Sequence, residues 1–177
     1  MFRKASKSLT TSEEAYEYAL TLLDRREYAA VDLEERLRRR GAAEDLIRET
    51  VDRLRRNGLI NEERYARRVL EAWRHKKYYG RLHLQAELKK KNVEPRYVSL
   101  FLDEFSEEEE EKRALAAYGQ TRNRRDGRYD CTTEKGVAAL VRYLTARGFG
   151  SSLIRVVLNQ ARRDMEADGR QDALPQD

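Results

Sequence analysis

LEERLRRRGAAEDLIRETVDRL, residues 33–54, places apolar residues at Leu33, Leu37, Ile47, Val51 and Leu54, with Gly41 between the two sets. Apolar positions three or four apart share one face of an α-helix, and a glycine after them supplies the left-handed residue on which helices end. The stretch therefore reads as helix, stop, helix. The same landmarks return as Leu84, Leu88, Asn92, Val98, Leu102 and Phe105, and again as Leu140, Leu144, Gly148, Ile154, Leu158 and Ala161, at steps of +4, +4, +6, +4 and +3 each time. Units this small cannot bury their apolar faces alone, so they are expected to stack side by side as repeat proteins do.

Moving upstream, Tyr18, Ala19, Leu22 and Leu23 form the stripe of an opening helix, and Tyr65, Ala66, Val69 and Leu70 match them at a constant offset of 47. Ala114, Leu115 and Tyr118 hold the corresponding place in the third repeat. Thr11 with Glu14, and Ser106 with Glu109, have capping-box spacing. Each repeat thus reads as three helices and the chain as all-α. The expected organisation is a flexible leader over 1–12, repeats over 13–60, 61–105 and 106–166, a basic loop at about 121–133 inside the third, and a flexible tail over 167–177.

Composition agrees with thin helical layers. Charged residues make up 39% of the 177-residue chain and hydrophobic ones 40%, and the only prolines are Pro95 and Pro175. The single cysteine, Cys131, excludes an intrachain disulfide framework and a cysteine-based zinc site. No stretch approaches the roughly 20 apolar residues of a membrane span, and the basic start lacks the apolar run of a signal peptide. A cytoplasmic protein with no membrane partner is expected. A net charge of +5 and a pI near 9.3 imply attraction to polyanions.

Enzyme signatures are missing: there is no glycine-rich phosphate loop, and His75 and His83 have no third metal ligand near them. Catalysis, a cofactor and a bound metal are not expected. The candidate residues are cations. Arg38 and Arg39 in the first repeat and Lys89 and Lys90 in the second point away from the leucine stripe, as a polyanion-binding face or as an ordinary solvated one. Arg40, Lys91 and Arg147 recur in the last helical turn, where a cation stabilises exposed carbonyls. The densest candidate is the linker Arg74-His75-Lys76-Lys77-Tyr78-Tyr79-Gly80-Arg81. Its cations Arg74, Lys76, Lys77 and Arg81 can neutralise phosphates, and Tyr78 and Tyr79 can stack on bases, insert in a protein groove, or pack on their own bundle. Trp73 reads as core. The run Glu107–Glu111 reads as charge opposing a helix dipole, with an acidic patch that docks a basic partner as the other reading.

Taken in order, the phrases Tyr18-Ala19-Leu20, Arg25-Arg26-Glu27-Tyr28, Gly58-Leu59-Ile60-Asn61-Glu62-Glu63-Arg64-Tyr65-Ala66, Tyr79-Gly80, Tyr143-Leu144 and Arg147-Gly148-Phe149 resemble the bacterial regulatory RecX family over residues 14–163. Against the family pattern, Glu62 replaces Asp, Asn92 replaces Gly, and Ala29 leaves the second helix without a side-chain cap. The resemblance implies an elongated, curved array of three three-helix repeats lodged in the groove of a RecA–DNA filament. Such a regulator hinders ATP hydrolysis, strand exchange and filament growth, and so acts in recombination, DNA repair and SOS control. The implied partners are the RecA filament and, more weakly, single- or double-stranded DNA, with the regulator itself a monomer. The alternative is a direct DNA-binding protein of tandem helix-turn-helix-like modules.

Overall fold

The computed structural model describes residues 8–122 and 127–171, and among them it contains nine helices and no strand. They are α1 (Ser12–Leu23), α2 (Ala30–Arg39), α3 (Glu44–Arg56), α4 (Glu62–Arg74), α5 (Arg81–Lys90), α6 (Pro95–Glu104), α7 (Glu107–Arg122), α8 (Glu134–Ala146) and α9 (Ser151–Gln171). They fall into three tandem sets of three. Of the leader expected over 1–12, residues 1–7 lie outside the described residues. Leu9 is buried, with its amide bonded to the Arg40 carbonyl at 3.0 Å, and Thr11 caps α1 by accepting from the Glu14 amide at 3.2 Å. At the other end α9 stays helical to Gln171, past Ala167, where the tail was expected to begin; it contains no proline, and the lone Gly169 costs a helix only about 1 kcal/mol. Residues 172–177, and 123–126 of the expected basic loop, lie outside the described residues.

The stop signals act through one hydrogen-bond pattern repeated three times. Gly41, Asn92 and Gly148 have φ of 78°, 54° and 77°. The residue after each, Ala42, Val93 or Phe149, donates its amide back to the carbonyl of Leu37, Leu88 or Leu144 at 3.2, 3.0 and 3.3 Å. The stop residue itself donates to Arg38, Lys89 or Thr145 at 2.9, 3.0 and 2.9 Å. This is the Schellman arrangement, and the buried Ala42, Val93 and Phe149 provide the apolar contact that accompanies it. Gly148 has a second constraint: a Cβ there would lie 2.2 Å from the His83 amide nitrogen.

One landmark needs correcting. Leu102 and Leu158 are only half-buried, whereas Phe101 and Val157 are fully buried. In α6 and α9 the residue three after Val98 or Ile154 turns inward, not the one four after. The equivalent residue of α3 is Thr50, also buried, so this position is the shared core position of all three repeats.

Packing groups the chain into two compact units, Met1–Val69 with Leu88–Tyr97, and Leu70–Glu87 with Val98–Asp177. The first holds the core around Ala15, Ala19, Leu33, Leu37, Ile47 and Leu54; the second holds the core around Ala114, Leu140, Leu144, Phe149 and Val157. The middle repeat is divided between them: Leu88 and Val93 belong to the first unit, and Trp73, Leu84, Phe101 and Phe105 to the second. Among the described residues no helix is long and apolar enough to cross a membrane.

Candidate protein and nucleic-acid interface

The linker after α4 lies in the second unit and is two different things along its length. Its first half faces water, with Arg74, His75, Lys76 and Lys77 all exposed. Its second half is anchored. Tyr78 packs against the core around Leu144 and Phe149. The Tyr79 ring lies 4.1 Å from the His83 ring, with the Arg147 guanidinium 5.7 Å away. Gly80 is buried and donates its amide to the Arg147 carbonyl at 2.9 Å, leaving no room for a Cβ beside the Phe149 ring and the Gly148 carbonyl. Both tyrosine rings therefore pack on their own bundle.

Two arginines hold this segment. Arg113 of α7, nearly buried at 12% side-chain exposure, donates to the carbonyls of Arg74 at 3.1 Å and Lys76 at 2.8 Å while its guanidinium lies 4.7 Å from the Trp73 ring. Arg81 donates to the carbonyls of Leu102 and Phe105 at the end of α6 and pairs with Glu110 at 3.5 Å. Carbonyls at a helix C-terminus carry its negative pole, so a guanidinium there is both a cap and a counter-charge. Arg81 is thus a structural residue, and the outward candidates of the segment reduce to Arg74, Lys76 and Lys77. Lys76 reaches Glu87 at 3.3 Å.

In the first unit Arg38 bridges Glu44 and Glu35 at 2.6 and 3.2 Å, and Arg39 pairs with Glu35 at 2.8 Å. These two cations are locally neutralised. Lys89 and Lys90 are exposed, with no ion pair among the described residues. The recurrent cations of the last turn split as well. Arg40 lies 4.6 Å from the Tyr18 ring and Arg147 lies 3.6 Å from the Tyr143 ring. The three carbonyls of that position are capped by Leu9 N–H at 3.0 Å, Tyr65 O–H at 2.9 Å and Gly80 N–H at 2.9 Å.

Two glutamates missed by the sequence reading fix the middle helices. The Ala30 amide at the start of α2 favours the charged form of the Glu62 carboxylate, whose buried Oε1 makes no hydrogen bond among the described residues. The Glu110 carboxylate accepts the Arg81 amide at 2.8 Å at the start of α5. Ala30 and Arg81 are equivalent positions, 51 apart like Leu33 and Leu84. In each case a glutamate of the next repeat's opening helix meets the start of the middle helix of the one before, and the second pair is a hydrogen-bonded cap. Burial pushes the Glu62 carboxyl above its ordinary value, and nearby Glu94 adds to this. His83 is pulled below its ordinary value, first by burial and then by Lys76, with Glu87 opposing. Among the described residues no cluster of three His, Cys, Asp or Glu is placed to hold a metal ion.

Comparison with known proteins agrees with this architecture. The family model described as RecX, first three-helix domain, matches residues 15–54, the run from α1 into α3. The regulatory protein RecX of Trichlorobacter lovleyi is 29% identical over 144 residues, covering 80% of this chain and 92% of that protein. The chain is similar to RecX proteins along most of its length. The regulatory protein RecX of Pseudomonas fluorescens is 35% identical over 86 residues, 49% of this chain, and the match takes in about half of that relative's length, 55%. In fold, the chain is similar to the crystal structure of RecX from Lactobacillus salivarius, with a TM-score of 0.73 and 19% identity over 85% of this chain and 96% of that one. These relatives are named as regulatory proteins, and this chain resembles them.

Proposed function

We propose that this regulator acts on RecA: it binds in the groove of the RecA–DNA filament as a monomer and hinders ATP hydrolysis, strand exchange and filament growth by occupying space, with no chemistry of its own. Its setting is recombination, DNA repair and SOS control in the cytoplasm. The likeness to RecX proteins supports RecA as the target. The observation that carries the contact assignment is the half-exposed, half-anchored linker, in which Arg113 and Arg81 fix the backbone behind Arg74, Lys76 and Lys77. A preorganised basic segment binds without first having to be ordered.

The test is RecA ATPase activity on single-stranded DNA. The purified protein should inhibit it near stoichiometric amounts, and the Arg74→Glu, Lys77→Glu variant should need roughly tenfold more protein, the loss expected from reversing a central charge pair. Helical content should be unchanged, because both side chains are exposed and have no ion pair among the described residues. Inhibition untouched by the variant removes the linker from the interface, and no inhibition by the parent protein removes RecA as the target. Exposed Lys89 and Lys90 favour the second reading, direct binding to DNA; it requires tight DNA affinity without RecA at physiological salt.

A further inference from the structure

Within the second unit, a groove of about 450 Å³ opens between the start of α5, the first turns of α7 and the start of α9. Its apolar wall is Leu82, Leu153 and Val156. Leu82 is 55% exposed and Val156 43%, two of the few large apolar side chains that the fold leaves in water. Scattered exposed leucines need no explanation, but leucine and valine lining one concavity mark a contact surface.

The opposite rim is acidic, and the structure separates the glutamate run into two groups. Glu108 pairs with Lys112 at 2.7 Å, Glu109 with Arg113 at 3.0 Å and Glu110 with Arg81 at 3.5 Å. Glu107 and Glu111 have no ion pair among the described residues, are exposed, and line the groove together. Four residues apart, they share one helix face. Opposing a helix dipole requires charge only in the first turn, so it does not explain why these two carboxylates face a water-exposed apolar wall.

We infer that this groove docks an amphipathic segment of another protein whose apolar residues seat on Leu82, Leu153 and Val156 and whose lysines or arginines pair with Glu107 and Glu111. Charge complementarity selects the occupant. A phosphate backbone or an anionic lipid surface is repelled by the two carboxylates, and an acidic peptide equally so. An apolar stripe flanked by cations satisfies both walls, in the helix-in-groove mode. The groove lies apart from the basic linker residues Arg74 and Lys77, and the inference stands whether or not RecA is the target.

The probe is a fluorescein-labelled helical peptide of leucines at i, i+3, i+4 and i+7 with lysines elsewhere, titrated with the full-length protein and read by anisotropy. Saturable one-to-one binding is expected, and its glutamate counterpart should bind roughly tenfold more weakly or worse. Glu107→Lys with Glu111→Lys should weaken the lysine peptide by roughly tenfold, as should Val156→Asp, with unchanged circular dichroism. An equal charge reversal at Glu17 and Glu71, exposed on α1 and α4, should leave it within about twofold. The inference is overturned if the lysine peptide does not saturate, if the groove variants bind like the parent, or if the Glu17, Glu71 variant loses as much. Concentration-dependent dimerisation abolished by Val156→Asp assigns the groove to a second copy of this chain and overturns it equally.

Discussion

His83 accepts a hydrogen bond at Nδ1 from Trp73 Nε1 at 2.9 Å. Indole nitrogen only donates, so Nδ1 carries no proton and the imidazole is neutral. Burial and Lys76 favour that neutral form and Glu87 works against it, while the Tyr79 ring covers the imidazole. Because the folded value lies below the unfolded one, the unfolded chain binds more protons between them. The contribution of His83 to stability is therefore complete above about pH 6.5 and declines as the pH falls through the lowered folded value. Trp73 is the only tryptophan. Its fluorescence should be quenched on acidification below about pH 6.5, and His83→Gln should abolish the transition; a flat profile in the parent protein would refute the assignment. Glu62 runs the opposite way. Arg55 at 3.8 Å only partly offsets burial and Glu94, so the folded value is raised and the charged carboxylate costs stability above it. Glu62→Gln removes that charge and should equal or exceed the parent in urea unfolding at pH 7. That advantage should shrink as acid protonates Glu62.

Helix ends can be separated by the space around them. Gly58 and Gly148 have similar φ, 68° and 77°, but a Cβ at Gly58 meets nothing within 4 Å, whereas at Gly148 it meets the His83 backbone at 2.2 Å. Gly58→Ala should cost only the left-handed conformation, about 1–2 kcal/mol. Gly148→Ala must also move α5 and should cost clearly more in denaturant unfolding; equal losses would mean that the crowding is harmless. The stops were legible in the sequence because they are local. A leucine pair, a left-handed residue and an apolar residue after it lie within ten residues, and the hydrogen bonds close among them. Trp73 as core was legible for the same reason. The inward Phe101 and Val157 were not, since two adjacent apolar residues on a helix compete for the core and packing partners decide between them. Glu62 and Glu110 were hidden more deeply, because each meets the start of a helix some 30 residues away in the previous repeat. Arg81 shows the limit on the functional side: a cation in a basic linker reads as a contact residue until the carbonyls of Leu102 and Phe105 are placed beside it.

At the scale of the whole molecule, a surplus of cations is not the same as a polyanion-binding surface. Lys and Arg number 37 against 32 Asp and Glu, and pairs such as Arg38–Glu44, Arg53–Glu13, Arg64–Glu27 and Arg122–Asp164 consume much of the positive charge locally. Of the candidate contact residues, Arg74, Lys77, Lys89 and Lys90 are exposed with no ion pair among the described residues. Each phosphate neutralised on a single strand contributes about 0.7 to the slope of log affinity against log salt. If these four are the cations that meet nucleic acid, the slope for single-stranded DNA without RecA should be no steeper than about −3, with weak binding at physiological salt. Lys77→Glu with Lys89→Glu should flatten it by about 1–2. Inhibition of RecA should depend less on salt than DNA binding does, because a protein–protein contact buries apolar surface that salt does not screen. A slope near −6 for DNA alone requires many more cations on the strand than these four, and together with tight binding at physiological salt it would transfer the function from the filament to the nucleic acid itself.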